Sequence, residues 1–259
     1  MPKKSLGQNF LKSQDILLNI VNSGNISKKD IILEIGPGTG NLTEKILEKA
    51  PERFIVIEKD KKLSELLHKK FRGKIEIINK DILDCYNSFV FNKKVKVFGN
   101  LPYNISTKIL ISFLKIYNLK DKFEKFIFVF QKEVADRILA EENSKNYGRL
   151  SILTSLKMNS NKITDIDPKY FYPKPKVWST LVTLSPKLDF EEMKSNQHLE
   201  HITNIFFSQR RKMIKKPMKQ LFTEFEKVAK DLDLDLNLRP QNLSKNQYLD
   251  ICKIYDVLN

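Results

Sequence analysis

The chain has 259 residues, of which 41% are apolar, so it is long enough for one α/β domain and a small second domain. Its 46 Lys and Arg exceed its 31 Asp and Glu, and the net charge of +15 favours an anionic partner, either nucleic acid or a membrane surface. No apolar run approaches the roughly 20 residues of a membrane span, and the start lacks a secretion signal, so we expect a cytoplasmic protein without a membrane partner.

Cysteine and histidine residues indicate neither a disulfide framework nor a metal site. Cys85 and Cys252 lack Cys-x-x-Cys spacing and are expected to be reduced thiols. His198 and His201 are not accompanied by further His or Cys, so a solvated helix face is the favoured interpretation. We therefore expect no metal ion.

The first strand and the turn that follows it indicate a ligand site. Leu6 to Leu11 mixes Gly, amides and apolar residues, which suits a short lid more than a regular element. Ile31 to Ile35 has the composition of a buried parallel strand, and it ends at Gly36-Pro37-Gly38-Thr39-Gly40, before a helix predicted over Asn41 to Ala50. The glycines allow the backbone to pass close to a ligand.

Glu58 follows the second predicted strand, Arg53 to Ile57, and precedes a helix predicted over Lys61 to Phe71. An acidic residue at this strand end is placed to accept hydrogen bonds from ribose hydroxyls, a feature that dinucleotide enzymes share. The turn reads G-x-G-x-G and lacks the G-x-G-x-x-G that brings a pyrophosphate to a helix N-terminus. The pattern therefore favours an adenosine ligand without phosphates.

Asp81 and Ile82 follow a third predicted strand, Ile75 to Ile78. Asp81 is suited to accept from an adenine amino group while Ile82 packs on the ring; an N-cap or loop acid is the alternative. In a doubly wound sheet these strand ends converge on one crevice, where ligands bind.

The fourth predicted strand, Val95 to Phe98, leads into Asn100, Leu101, Pro102 and Tyr103. The Asn100 amide and the Leu101 carbonyl are acceptors, Pro102 fixes a turn, and Tyr103 offers a ring face. Acceptors that hold both hydrogens of a planar NH2 favour its pyramidal form, in which the lone pair is free to attack. An ordinary turn is the alternative, but the upstream features favour an active site.

The rest of the expected first domain completes an α/β, doubly wound sheet. Phe171 begins a loop with Pro173 and Pro175, which either holds its ring over a base or is a structural connector. The other expected elements are helices over Ser106–Ile116 and 131–140, strands over Phe126–Phe130 and Thr180–Leu184, and an exposed loop over 143–150.

A domain boundary is predicted after Pro186, which gives domains of 1–186 and 187–259. The second domain is helical, with helices predicted over 199–207, 213–225 and 228–232 and another after Ser244. Six of the ten residues from Arg210 to Lys219 are Lys or Arg, which favours phosphate contacts over a merely solvated face in so basic a chain.

Together these residues resemble the S-adenosylmethionine-dependent rRNA adenine N6,N6-dimethyltransferases, and within them the small-subunit enzymes linked to kasugamycin sensitivity. The resemblance extends nearly end to end, over Leu6–Leu11, Glu34–Gly40, Glu58, Asp81, Asn100–Thr107, Gln131–Val134, Tyr147–Leu150, Phe171–Ser179 and Gln209–Lys212. It implies cofactor contacts from Asn9, Leu11, Gly36, Glu58, Asp81 and Asn100. Gly38 and Ile82 are further candidates for binding the cofactor.

The resemblance implies a class I (Rossmann-like) methyltransferase fold with a small C-terminal helical domain that engages RNA. The reaction implied is dimethylation of two adjacent adenosines in the 3′-terminal hairpin loop of 16S rRNA, within a small-subunit precursor, by a monomer. RNA-binding candidates are Arg149, Arg210, Arg211, Lys212 and Lys215. Met213–Lys216 departs from the Thr and Arg or Asn common there, which makes these contacts the least defined part of the resemblance.

Three alternatives remain. A large-subunit adenine dimethyltransferase of the macrolide-resistance type shares Asn-x-Pro-Tyr, but Gln209–Lys212 and Tyr147–Arg149 argue against it. A non-catalytic ribosome assembly or transcription factor on the same scaffold is disfavoured by the intact Asn100–Tyr103. A nicotinamide oxidoreductase is the least favoured.

Overall fold

The structure, a computed structural model, describes residues 7–190 and 196–258; Leu6 of the expected lid, residues 191–195 and residue 259 lie outside the described residues. The chain divides into two compact units. The first combines the described residues up to Ala135 with Asn159–Leu188, and the second combines Asp136–Met158 with the described residues from Asp189 onward. Asp136–Met158, which the sequence assigned to the first domain, therefore groups with the C-terminal helices. The division into a catalytic and an RNA-engaging domain stays a prediction.

Nine strands are present in the described residues: β1 (Phe10–Leu11), β2 (Ile31–Ile35), β3 (Arg53–Ile57), β4 (Glu76–Ile78), β5 (Val95–Asn100), β6 (Phe123–Gln131), β7 (Met158–Ile166), β8 (Phe171–Tyr172) and β9 (Ser179–Pro186). Seven form one sheet in the order β4-β3-β2-β5-β6-β9-β7, while β1 and β8 pair separately. Strands β2 to β6 run parallel to one another, and β9 runs antiparallel to β6. The strand order reverses between β2 and β5, which places a ligand crevice at their carboxyl ends.

Helices cover the sheet in the first unit and make up most of the second. The first unit has α1 (Gln14–Ser23), α2 (Asn41–Leu47), α3 (Lys61–Phe71), α4 (Ile82–Cys85), α5 (Ser106–Leu114) and α6 (Leu119–Lys122), and α7 (Lys132–Ile138) leads into the second, which has α8 (Arg149–Lys157), α9 (Asn196–Ser208), α10 (Lys215–Leu221), α11 (Phe225–Asp231) and α12 (Lys245–Leu258). None of the helices in the described ranges is both long and apolar enough to span a membrane.

Local chemistry explains the elements around the crevice. All five residues of β2 are buried, as expected for a central parallel strand with helices on both faces. Asp60 caps α3, since its carboxylate accepts from the amide of Lys62 at 2.9 Å, and the helix ends at Arg72 in the left-handed region. The bounds predicted for β2, β3 and α3 are confirmed.

Other elements differ from the sequence predictions. Strand β5 continues through Gly99 to Asn100, so the motif begins inside the strand. The helix expected over 213–225 is the shorter α10, which ends at Leu221 because Phe222 has extended backbone, and the helix expected over 228–232 begins earlier, as α11 at Phe225. The sequence did not predict helix α8 or strand β7. Helix α8 is buried on nearly all sides although five of its nine residues are polar, and β7 is largely polar, so neither shows the expected periodicity.

The second unit has its own apolar core. Tyr248 of α12 is buried against Phe206 of α9, with ring centroids 5.3 Å apart, and its hydroxyl donates to the Pro240 carbonyl at 2.7 Å. Tyr147 donates to the Leu243 carbonyl at 3.1 Å. These bonds join three separate stretches of chain into one body.

Candidate active site

A cleft of about 720 Å³, partly open to solvent, lies where β2, β3 and β5 end. Seven of the eight predicted cofactor residues line it: Asn9, Gly36, Gly38, Glu58, Asp81, Ile82 and Asn100. The eighth, Leu11, is buried and lines a smaller cavity that shares Phe10, Gly36 and Asn100 with the cleft. The structure thus brings together residues that are up to 91 positions apart in sequence.

The turn after β2 forms one wall of the cleft. Gly36, Gly38 and Gly40 have φ values of 66°, 59° and 82°, which side chains rarely adopt. A Cβ atom at Gly38 would lie 2.7 Å from the ring of Phe10, so the ring covers the turn closely. Close packing and backbone conformation both require glycine here.

Glu58 is almost fully buried at the end of β3 and is held by two backbone amides. Its carboxylate accepts from Gly38 at 3.1 Å and from Asp60 at 2.8 Å. Burial raises the pKa of this carboxyl, and the two amide bonds act in the opposite direction. Because a carboxylate has about four lone-pair sites, roughly two remain for a pair of hydroxyls in the cleft.

Asp81 has two roles in the structure. One carboxylate oxygen accepts from the amide of Leu83 at 3.0 Å and caps α4, and the other pairs with Lys59 at 2.7 Å. Burial opposes ionisation, but these bonds outweigh it and lower the pKa of Asp81. The N-cap interpretation is confirmed, and the same side chain lines the cleft beside Ile82.

Asn100 is the last residue of β5, and its amide nitrogen donates to the Asn9 carbonyl at 2.7 Å. Its amide oxygen is therefore the atom that can accept from a substrate amine. Pro102 closes the following turn, since its carbonyl accepts from Ile105 and Ser106 at 3.1 and 2.9 Å. The Tyr103 hydroxyl lies 2.5 Å from the Ser179 hydroxyl, which fixes the ring.

Phe171 does not offer an open ring face. It is only 4% exposed, belongs to the core and lies opposite Leu11 in the β1–β8 pair. Stacking of this ring on a base stays a prediction, and the burial of the ring argues against it. The neighbouring Tyr172 is 53% exposed.

The N-terminal segment from Asn9 to Lys12, which we call the roof, borders the cleft and is fixed by several hydrogen bonds. Asn41 at the start of α2 donates to the Leu11 carbonyl at 2.8 Å, and Lys12 donates its amide to the Tyr170 carbonyl at 2.9 Å. Asn41 and Ser179 also position the site, and the sequence did not predict this role for either. Nothing local marks them, because their partners come from distant parts of the chain.

Glu34 is fully buried behind the glycine turn, where Thr43 donates to it at 2.7 Å. Burial raises the pKa of this carboxyl to about 8. Nearby Glu58 acts in the same direction.

Glu34→Gln is expected to remove a pH dependence of stability. From about pH 4.5 up to about pH 8 the unfolded state ionises Glu34 while the folded state keeps it protonated, so stability falls as pH rises, by at most about 1.4 kcal/mol per unit. Below pH 4.5 both states are protonated and the effect vanishes. Denaturant unfolding of both proteins across this range measures the difference. If the free energy of unfolding changed with pH in the same way for both proteins, a protonated Glu34 would be contradicted.

The RNA-binding candidates divide into two groups within the second unit. Arg210 is part-buried, and its guanidinium donates to the carbonyls of Ser144 and Lys145 and to Gln241, so it braces a loop. Arg149 donates to Asn204 at 3.2 Å. The remaining three candidates, Arg211, Lys212 and Lys215, are exposed.

No group of three or more His, Cys, Asp and Glu side chains suited to a metal ion occurs within residues 7–190 and 196–258. His198 contacts Asp256 through Nδ1. The two predicted free thiols, Cys85 and Cys252, are buried and form no disulfide, and burial raises the pKa of Cys252 to about 12.

The strand order, the antiparallel strand β9 beside β6 and the glycine turn beside Glu58 define a class I S-adenosylmethionine-dependent methyltransferase. The model of the family described as Ribosomal RNA adenine dimethylase matches residues 2–257. The chain belongs to this family and is an S-adenosylmethionine-dependent rRNA adenine N6,N6-dimethyltransferase.

Individual relatives agree with this assignment. The chain is 51% identical over 256 residues to Ribosomal RNA small subunit methyltransferase A of Pelagibacter ubique, covering 99% of this chain and 97% of the relative. It is 45% identical to the protein of the same name from Ehrlichia ruminantium, with 96% and 95% covered. A dimethyladenosine transferase from Plasmodium falciparum shares the structure with a TM-score of 0.81 at 28% identity, covering 96% and 98% of the chains.

Proposed function

We propose that this protein dimethylates N6 of two adjacent adenosines in the 3′-terminal hairpin loop of 16S rRNA, within a precursor of the small ribosomal subunit. Two relatives covered almost end to end carry the name Ribosomal RNA small subunit methyltransferase A, which supports the choice of subunit. The observation that carries the chemistry is Asn100, fixed at a strand end with its amide oxygen free to accept. We expect a cytoplasmic monomer.

The cleft residues fit S-adenosylmethionine. Glu58 supplies two acceptor sites for the ribose hydroxyls, and Asp81 with Ile82 supplies an acceptor and an apolar plate for the adenine. Gly36 and Gly38 let the backbone approach the ligand, while Asn9 and Leu11 belong to the roof. When bound, the cofactor would supply a methyl group on a sulfonium sulfur, which leaves as a neutral thioether. The positive charge passes to N6, which then loses a proton to solvent as an acidic ammonium, so the chain needs no strong general base.

Aiming the amine is the main task of the Asn100–Tyr103 motif. The Asn100 amide oxygen and the Leu101 carbonyl accept its hydrogens and direct the lone pair to within about 3–3.5 Å of the methyl carbon. Unstacking the adenine costs a few kcal/mol, least in a loop, and the Tyr103 ring replaces part of the lost stacking. The bond to Ser179 holds that ring in place.

The function is tested by methylating ribosomal RNA with the purified protein. Small-subunit particles that lack the two dimethyladenosines are incubated with S-adenosylmethionine carrying a labelled methyl group, in parallel with large-subunit particles. Mass spectrometry of nuclease fragments should place four labelled methyl groups on two adjacent adenosines of 16S rRNA. Label on 23S rRNA, or none on either, would contradict the proposal.

RNA engagement through the exposed cations of the second unit is expected to show in the salt dependence of binding. Replacing Arg211, Lys212 and Lys215 by Gln should flatten the slope of log K against log salt by about 0.7–0.9 per lost phosphate contact. The matched control replaces Lys28, Lys29 and Lys49, which are also exposed and remove the same charge. Equal slopes for the two triple variants would mean that the candidates form only a solvated face.

A further inference from the structure

The loop between β8 and β9 combines exposed aromatic rings with lysines. Of the twelve large apolar side chains that lie exposed in the described part of the chain, three fall within seven residues: Tyr172 (53%), Val177 (44%) and Trp178 (48%). Lys174 and Lys176 are exposed between them, and Lys12 places its ammonium 4.1 Å from the centre of the Tyr172 ring. We call Lys12, Tyr172, Lys174, Lys176 and Trp178 the aromatic–lysine surface.

Both ends of this surface are joined to the active site. Tyr172 pairs directly with Phe10, whose ring covers the glycine turn of the cleft. At the other end, Trp178 precedes Ser179, which binds the Tyr103 hydroxyl, and the Trp178 carbonyl accepts from the amide of Lys132 at 2.9 Å. The backbone that carries both rings is therefore anchored beside the residues that receive the target base.

Charge and ring chemistry indicate one kind of occupant. Residues 168–188 include four lysines and contain no Asp or Glu, so the surface repels cations and attracts phosphates. Exposed rings interleaved with lysines are the usual platform for unpaired nucleotides, because every base has a face that stacks. A protein partner would favour an apolar patch without this excess of charge.

We propose that the aromatic–lysine surface binds the unpaired nucleotides that flank the target adenosine, with Tyr172 and Trp178 stacking on bases and the lysines on phosphates. This inference rests on the proposed function and adds a substrate-gripping surface to it. It also gives the loop an RNA contact that does not require the buried ring of Phe171 to turn outward. The flanking nucleotides, held here, keep the flipped adenosine over Asn100.

Trp178 makes a direct test possible, because it is the one tryptophan of the chain. Adding a hairpin RNA with the 16S 3′-terminal loop should quench its fluorescence strongly, whereas a fully paired duplex should not. Quenching that is equal for both RNAs, or absent with the hairpin, would overturn the stacking.

Kinetics supply the second measurement. Trp178→Ala and Tyr172→Ala should each raise KM for the hairpin about 5- to 150-fold, with the affinity for S-adenosylmethionine and the melting temperature unchanged. Trp178→Phe should restore most of the affinity, and Tyr117→Ala, another exposed tyrosine of the same unit, should have no effect. Weakened cofactor binding or folding in both alanine variants would make the rings structural and overturn the inference.

The outcomes also separate this inference from the function on which it rests. If the wild-type protein fails to methylate 16S rRNA, the proposed function fails. If it methylates normally and the alanine variants match it, only the aromatic–lysine surface is refuted. If the variants are impaired on particles but not on the hairpin, the surface contacts a ribosomal protein, and RNA is the wrong partner.

Discussion

Asn100→Ala is expected to lower the rate of methyl transfer about 10²- to 10³-fold, as does the loss of one preorganised polar contact to a transition state. Binding to small-subunit particles should barely change, because the exposed cations are elsewhere in the chain. The variant also loses the bond to the Asn9 carbonyl, so we expect cofactor affinity to fall only about 2- to 10-fold. The loss in kcat should therefore far exceed the loss in cofactor binding.

Methyl incorporation and particle co-sedimentation should be measured on one preparation. Asn92→Ala is the matched control, since Asn92 is exposed and lies before the first residue of β5, at the end opposite the cleft. Because release would no longer follow methylation, the Asn100 variant should remain on immature particles and slow their maturation when overproduced. Near-normal methylation, or loss of particle binding by a folded variant, would refute this division of labour.

Glu58→Ala is expected to weaken S-adenosylmethionine binding about 10- to 150-fold, because a charged acceptor of ribose hydroxyls contributes about 1.5–3 kcal/mol. The variant also leaves the amides of Gly38 and Asp60 without their acceptor, which loosens the turn. Glu58→Gln keeps one acceptor oxygen, so its affinity for S-adenosylmethionine should lie between those of the wild-type protein and Glu58→Ala. Calorimetric titration measures these affinities.

Glu65→Ala controls for the loss of charge, since Glu65 is exposed on α3. The raised pKa of Glu58 adds a pH dependence: as pH falls towards that pKa, the carboxyl is protonated and cofactor affinity should decrease. Glu58→Gln should lack this acid limb. A well-folded Glu58→Ala protein with wild-type affinity would exclude the ribose role.

The sequence was most informative where chemistry and periodicity coincide. Buried strands such as β2 and β3 are mostly apolar. The glycine turn follows β2 and Glu58 follows β3, and both line the cleft. Convergence of Gly38, Glu58 and Asp81 followed from the rule that parallel strands end at one edge. These predictions needed only local patterns and one topological rule.

The features that the sequence did not predict depend on packing between distant parts of the chain. Phe171 was expected to face a base, but its burial depends on pairing between β8 and β1, two-residue strands that no periodicity can reveal. The Asn41 bond to Leu11 spans 30 positions, and the Tyr103 contact with Ser179 spans 76. Arg210 belonged to a cationic run, yet its role in bracing a loop depends on carbonyls more than 60 residues away.

The position of Asn100 inside β5 has a consequence for the second methyl group. The strand is hydrogen bonded on both sides, to β2 and β6, so the acceptor stays where it is while the substrate changes. Monomethylated adenine has a single N–H left, and two fixed acceptors then compete for one hydrogen. The methylamino group must rotate about the C6–N6 bond so that its methyl group moves aside and the nitrogen lone pair again faces the methyl donor, and ring contacts more than hydrogen bonds hold the base during that second transfer. Completion of both transfers therefore depends on the side chains that pack against the base, and not only on the two acceptors of the amine.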